Sequence, residues 1–596
     1  MTAAALTLGS LRERYAAGES PIDVVEEVFA RLAARGDDGV WITVLPIEQA
    51  RAAAAALDPA DRERLPLWGV PYGLKDNIDV AGLPTTAACP AFAYHPEQDA
   101  ELVRRLHAAG ALLIGKTNLD QFATGLNGTR SPYGVPRSVG DPALIPGGSS
   151  SGSGVAVAAG IVPFAIGTDT AGSGRVPAAL NGIVGLKPSV GLVSGRGMLP
   201  ACRSLDCPSV FAHSVEDAAA VLAVIAGVDE DDAWSRALPA PVATPPPTPA
   251  HGLRLAVPDT IDCWGSRGEQ ASWEACLERL GAAGVELVPV PMAAFFEAGD
   301  QLYSGAWVAE RLDGLELFLH DHADDVWPPV REILAGAASV RGVDIFAGLD
   351  RMQGLRRVVR GLLDGVDALL APTVTETFTI AEMQADPVAL NSRLGRFTTF
   401  TNLLDLCAVS LPGVAADGTP FGVPLGLTLQ ASAGRDAALA GVAIAVRDAL
   451  GGRASSTIAS TATRRDDWLE LAVVGAHLEG MPLHRDLVDR GAELVARTAT
   501  APAYRFYALR GTTPPKPGLR RVRDGGAAIE VEVYRLPLAS VGSFLSTVVA
   551  PLGIGQVELA DGSVVHGFVC EPWALEDADD ITGLGGWRAY VAGGAS

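Results

Sequence analysis

Three observations predict an α/β domain of roughly 450 residues followed by a small α+β domain. At 596 residues the chain exceeds what one hydrophobic core supports, so more than one domain is expected. From Gly69 onward, short apolar strands, glycine-rich turns and alanine-rich helices alternate. At 451–466 the run GGRASSTIASTATRRD interrupts that texture and reads as a linker. Beyond it come shorter alternating runs such as AIEVEVYRLPL and GSVVHGFVC, more strand-like in character. The expected division is 1–450, a linker at 451–466, and 467–596.

Residues 1 to about 66 read as helices. In SPIDVVEEVFARLAARG, Ser20 is the cap, Pro21 sits in the first turn, acidic residues come early and Gly36 stops the helix. ELVRRLHAAGALLIGKTN (101–118) reads as a helix, a stop at Gly110 and a buried strand. SVEDAAAVLAVIAG (214–227) is a further capped helix. LPAPVATPPPTPAHG (238–252) cannot hold regular structure, because proline removes donors and fixes φ. Since LRLAVPD then resumes the alternation, this is a surface loop within the first domain. There is no internal repeat.

A hydrophobic fraction of 48% with 19% charged residues describes a well-buried globular chain. The net charge of -23 argues against nucleic acid, which requires a basic face. It also means that an anionic substrate must be caught by a local cation against the overall field. The amino terminus does not read as a signal peptide. The most apolar run, GVAVAAGIVPFAIG (154–167), has 14 residues and a proline. That is short of the ~20 a membrane span requires. Seven scattered cysteines form neither a disulfide framework nor a metal-ligand spacing. The expectation is a soluble cytoplasmic protein without metal or organic cofactor. Only four of the 46 basic residues are lysine: Lys75, Lys116, Lys187 and Lys516. Where lysine persists in so arginine-rich a chain, the chemistry can require an amine able to lose its proton.

Three segments of the first domain stand out: GVPYGLKDNIDVAG around Lys75, PGGSSSGSGVAVAAG around Ser149, and GTDTAGSGRVP around Ser173. Singly each is weak. GGSSSGSG lacks the GK[ST] ending of a phosphate loop, glycine–serine runs are mostly turns, and a lone lysine is mostly a solvated cation. Together they resemble the amidase signature family, with Lys75 in GLKDN, Ser149 as the first serine of GGSSSG, and Ser173 after TAG, 24 positions later. The resemblance covers most of residues 1–450. It implies a mixed central sheet covered by helices and a triad of Ser173, Ser149 in a cis peptide, and Lys75.

The residue types suit that chemistry. A serine hydroxyl is a poor nucleophile without a base. No histidine lies between His107 and His213, the span that holds both serines. A neutral lysine can substitute, but moving its amine from about 10.4 to about 7.5 costs roughly 4 kcal/mol, which burial can supply. Ser149 would relay the proton between Lys75 and Ser173. The amides of Thr170, Ala171, Gly172 and Ser173 would converge on the oxyanion, one such donor being worth about 2.7–4 kcal/mol.

For the substrate, QLYSGAWVAERL reads as helix, with Tyr303, Trp307 and Arg311 at i, i+4 and i+8 on one face. A guanidinium captures a carboxylate in two-pronged fashion and a tyrosine hydroxyl adds a bond. The plainer alternative is a half-buried helix with a surface arginine. The stretches TDTAGSGRVPAALN, ACRSLDCPSVFA and LYSGAWVAER resemble the allophanate hydrolases, whose pattern assigns carboxylate binding to Tyr303 and Arg311. VVGAHLEGMPLHRDL (473–487), VEVYRLPL and DITGLGGWRAY resemble the C-terminal domain of that family, related in fold to γ-glutamylcyclotransferases.

That resemblance implies hydrolysis of allophanate to ammonia and carbon dioxide, the second step of ATP-dependent urea degradation. The C-terminal domain would assist decarboxylation of N-carboxycarbamate, with His477 as candidate acid or base. It further implies a homodimer. No biotin-carrier or ATP-grasp segment is visible, so a separate urea carboxylase would supply the substrate. The alternatives are another small-acid amidase, such as one acting on malonamate, the glutaminase component of a tRNA-dependent amidotransferase, and a catalytically dead scaffold.

Overall fold

The amino-terminal helix Pro21–Arg35 forms where its caps are. Ser20 and Asp23 bond reciprocally, Pro21 fills the first turn and Gly36 leaves at φ +70°, while Val24, Val25 and Val28 are buried. The all-helical expectation for this region fails at WITV. Those residues form strand β1 (Trp41–Val44), antiparallel to β3 (Leu112–Thr117). Four residues between alanine-rich helices are too few to display a period, and only the pairing partner defines the strand. The structure is a computed structural model that describes residues 5–265, 267, 270–413, 426–451, 468–512 and 514–593.

β2 (Pro71–Lys75) lies parallel to both β3 and β4 (Phe164–Asp169). Next to β4 come β6 (Cys207–Ala212) and then β5 (Val184–Lys187), each antiparallel to its neighbour. The sheet continues through β10 (Leu406–Leu411), β11 (Leu427–Ser432) and β9 (Ala368–Pro372), still antiparallel. It ends in β7 (Arg254–Pro258) and β8 (Glu286–Val290), which run parallel. The eleven strands thus form one mixed sheet in the order β1-β3-β2-β4-β6-β5-β10-β11-β9-β7-β8. Strands β2 to β6, β9 and β10 are buried along their whole length. That is why they read as continuous apolar runs rather than alternations: helices cover both faces.

The helices Glu101–Ala108 and Val215–Ile225 lie where their patterns placed them, and 238–252 carries no regular element. The chain divides into two compact units, Met1–Ile458 and Ala459–Ser596. The expected linker at 451–466 falls, apart from Gly451, outside the described residues. In the second unit β12 (Trp468–Val473), β13 (Glu493–Ala499), β16 (Glu530–Pro537), β17 (Leu552–Glu558) and β18 (Val564–Cys570) form a sheet ordered β13-β16-β12-β18-β17. A smaller sheet has β14 (Tyr504–Ala508) between β15 (Pro517–Arg521) and β19 (Asp579–Asp580). Its core gathers Leu471, Val473, Phe506, Val531, Leu536 and Phe544.

Candidate active site

Lys75 is the last residue of β2 and has no solvent exposure. Its Nζ donates to Ser149 Oγ at 2.8 Å and to Thr168 Oγ1, on neighbouring β4, at 2.7 Å. Burial pushes the amine down to about 7, against the opposing pull of the Asp206, Asp120 and Asp169 carboxylates. Near neutral pH a large share of Lys75 is therefore the free amine, a state an arginine at this place could not reach.

Ser149 follows a cis peptide bond, Gly148–Ser149. Its carbonyl accepts the Asp120 amide at 3.0 Å. The glycine before it is dictated by close approach: a Cβ on Gly148 would lie 2.1 Å from Asp120 Oδ2. The remaining GSSSGSG residues are no linker, because the buried helix Ser151–Ala158 starts inside them.

Ser173 stands in the loop after β4, organised around Asp169. This carboxylate accepts the amides of Gly172 at 3.0 Å and Gly174 at 2.9 Å. It also takes Arg175 Nε and Nη2, both at 2.9 Å. Arg175 extends the lock to Thr401 Oγ1 at 2.7 Å and Thr398 O at 3.1 Å. Both charges of this pair are fully buried, a costly arrangement unless the bonds are complete. The expected four-donor oxyanion set is corrected here, since the Gly172 amide is taken by Asp169. Among the described residues no acceptor takes the Thr170, Ala171 or Ser173 amide. Thr170 contributes in a way not anticipated, its hydroxyl donating to Asp206 Oδ1.

Ser173 is 2% exposed, and its hydroxyl points to Gly125 O at 3.5 Å. A Cβ on Gly125 would meet Asp120 Oδ2 at 2.4 Å, the same oxygen that crowds Gly148. Ser149 and Ser173 thus approach one carboxylate-centred turn from two sides. The direct contact is Lys75–Ser149, while the hydroxyl of Ser173 is turned to a carbonyl.

The single helix expected to carry Tyr303, Trp307 and Arg311 is broken. One helix ends at Ser304, Gly305 has extended φ and ψ of -125° and -150°, and another runs Ala306–Leu312. The i, i+4, i+8 face does not exist, yet the break brings Tyr303 and Arg311 together, with the guanidinium carbon 5.1 Å from the ring centroid. Arg311 is 3% exposed rather than on the surface. Its Nη1 donates to Thr124 Oγ1 at 3.4 Å, its Nε has no partner, and no carboxylate lies within ion-pairing distance among the described residues. Burial works against its charge, and Cys202, Tyr303, Asp206 and Glu310 more than offset this. Tyr303 also lines an open cleft with Phe296, Asn391, Arg393, Arg396 and Thr399.

His477 lies in the second unit, in a pocket with Asp486, Lys516, Pro517 and Phe568. Its ring stacks on Phe568 at 5.0 Å, and Nε2 is 3.8 Å from Asp486 Oδ2 with no hydrogen-bond partner. Burial pushes the imidazole down to about 4, so it is neutral at pH 7.

Sequence reasoning missed Thr168, Asp120, Asp206 and the Asp169–Arg175 pair. Thr168, Asp169 and Arg175 lie inside GTDTAGSGRVP, the stretch already singled out around Ser173. Asp206 is 36 residues from its partner Thr170, and nothing local announces the contact.

A buried lysine bonded to Ser149 beside the loop of Ser173, on a mixed sheet of this topology, is the arrangement of an amidohydrolase. The chain belongs to the amidase family, whose description, Amidase, matches residues 23–440. A second family, Allophanate hydrolase C-terminal domain, matches residues 469–592. The chain is 41% identical over 576 residues to a urea amidolyase of Saccharomyces cerevisiae, covering 93% of this chain and 31% of that protein. It therefore spans about a third of the length of the first curated relatives it matches. It is similar to a glutamyl-tRNA(Gln) amidotransferase component of Symbiobacterium thermophilum, 37% identical over 456 residues, covering 70% of this chain and 92% of that one. Among solved structures it resembles an allophanate hydrolase of Kluyveromyces lactis, with a TM-score of 0.75, 38% identity and 99% of each chain covered.

Proposed function

We propose that this chain hydrolyses allophanate at its terminal amide as a step of urea degradation. Neutral Lys75 takes a proton from Ser149, which takes one from Ser173 as Ser173 Oγ attacks the amide carbon. The oxyanion is met by the Thr170, Ala171 and Ser173 amides, the proton returns to the leaving nitrogen, and ammonia departs. Water then cleaves the acyl-enzyme and releases N-carboxycarbamate, which the second unit carries on toward ammonia and carbon dioxide as each lost carboxylate is replaced on nitrogen by a proton, with His477 as the candidate acid or base.

The observation that carries the substrate is Arg311: a buried guanidinium with an orphaned Nε, no carboxylate partner among the described residues, and Tyr303 beside it. Buried charges are normally paired, so this one suits an incoming carboxylate. The likeness to proteins named allophanate hydrolase and urea amidolyase supports the same reading and its coupling to a urea carboxylase. A cytoplasmic homodimer completes the proposal. No described helix is long and apolar enough to cross a membrane.

The test is ammonia release from allophanate, malonamate and glutamine by the wild type and by Arg311→Ala. Allophanate is expected to be preferred, and Arg311→Ala to raise its KM about a hundredfold with a smaller change in kcat. Better turnover of glutamine or malonamate, or an unchanged KM in the variant, overturns the substrate.

A further inference from the structure

The run ACRSLDCPSVFA supplies no group to the proton transfers above, yet its side chains are held at both ends. The turn Ala201–Asp206 precedes β6 and is closed by the Leu205 and Asp206 amides on Cys202 O, at 3.0 and 2.9 Å. One end is fastened to the nucleophile loop. Asp206 accepts the Thr170 hydroxyl and the amides of Ala201 at 2.6 Å and Cys202 at 3.2 Å. Asn402 Nδ2 donates to both Asp169 O and Leu205 O, each at 2.8 Å. The other end is fastened to the helix Ala306–Leu312. The amide and hydroxyl of Ser204 donate to Glu310 Oε1 and Oε2, both at 2.7 Å, and Cys202 Sγ faces Trp307 O at 3.5 Å. Arg311 is the next residue of that helix.

We infer that the Ala201–Asp206 turn sets the position of Arg311 relative to Ser173, with Asp206 and Glu310 as positioning residues for the anionic substrate. The inference rests on the reading of Ser173 and Arg311 proposed above. Charge-assisted bonds to two groups of one residue hold it more firmly than a single neutral bond. A displacement of an ångström at a binding group can cost about a hundredfold in rate. Asp206 also acts through its charge. Lys75 bonds to the Ser149 and Thr168 hydroxyls and feels the Asp206, Asp120 and Asp169 carboxylates, Asp206 most strongly; burial pushes the Asp206 carboxyl itself up to about 6, so its pull acts above that pH. Arg311 is faced by Cys202, Tyr303, Asp206 and Glu310.

The experiment uses the full chain, steady-state kinetics on allophanate, and the rate at which a neutral fluorophosphonate labels Ser173 from pH 5 to 9. Glu310→Ala removes both acceptors while alanine keeps the helix. It is expected to raise the KM for allophanate about tenfold and leave the labelling rate within about twofold. Ser204→Ala removes half of the contact and is expected to show a smaller rise of the same kind. Asp206→Asn removes the carboxylate that most favours protonated Lys75, so the rise of labelling with pH is expected to move to lower pH. An unchanged KM in Glu310→Ala, or an unmoved pH profile in Asp206→Asn, overturns the inference. If Glu310→Ala does not fold, an unchanged KM in Ser204→Ala overturns it equally. A wild type that labels but leaves allophanate intact sinks the substrate reading instead. The coupling is then judged on the labelling profile of Asp206→Asn alone.

Discussion

Lys75 sets the terms on which the rest of the site operates. Its amine sits near 7 in the folded protein and near the ordinary 10.5 in the unfolded chain. Below pH 7 folding therefore confines a charge that water would rather hold, and between 7 and 10.5 the unfolded chain carries a proton that the native one lacks. Stability contributed by this residue consequently rises with pH across that window. Lys75→Met is expected to abolish turnover and yet raise the unfolding free energy at pH 6 by a few kcal/mol, reduced by about 1 kcal/mol for each hydrogen bond lost to Ser149 and Thr168. The gain should shrink as pH approaches 10.5, and thermal unfolding at pH 6 and 9 checks it. A variant no more stable than the wild type at pH 6 would mean that the amine is better solvated than its burial indicates.

At the scale of elements, the site is made where strands β2 and β4 end and glycine-rich loops begin. The Asp169–Arg175 pair fixes the second loop, with both partners free of solvent exposure. Arg175→Met leaves Asp169 buried without its cation, so a loss of about 3–5 kcal/mol in stability is expected, together with loss of Ser173 labelling. Chemical denaturation measures the first and probe labelling the second. Near-wild-type stability would show that water replaces the guanidinium. The same elements tell which parts were legible in the sequence. Lys75, Ser149 and Ser173 were singled out because their three segments together resemble a known family, each being weak alone; their glycines, such as Gly172 at φ +130°, mark tight local backbone that a sequence does show. Capped helices were readable through the same kind of local signal. The break at Gly305 was not, because Tyr303 and Arg311 satisfy helical spacing whether or not the helix continues. Strand β1 and the Asp206–Thr170 contact depend on partners far along the chain, and no local signal carries them.

At the scale of the molecule, the chain holds two units with a candidate proton-transfer group in each, Lys75 in the first and His477 in the second. If they divide the reaction, His477→Ala in the full chain should leave the first ammonia and Ser173 labelling near wild type while slowing carbon dioxide release at least tenfold. Simultaneous loss of both products would assign His477 to packing against Phe544 and Phe568. The scarcity of lysine acquires a further meaning once its places are known. Lys75, Lys116 and Lys187 have no solvent exposure, and Lys516, in the second unit, is half-buried. To acylating reagents, and to any enzyme that marks proteins through lysine, the native first unit presents no side-chain amine at all. Chemistry of that kind reaches it only when the fold opens, and the mark would then fall on Lys75, Lys116 or Lys187, residues that the native fold keeps wholly out of reach.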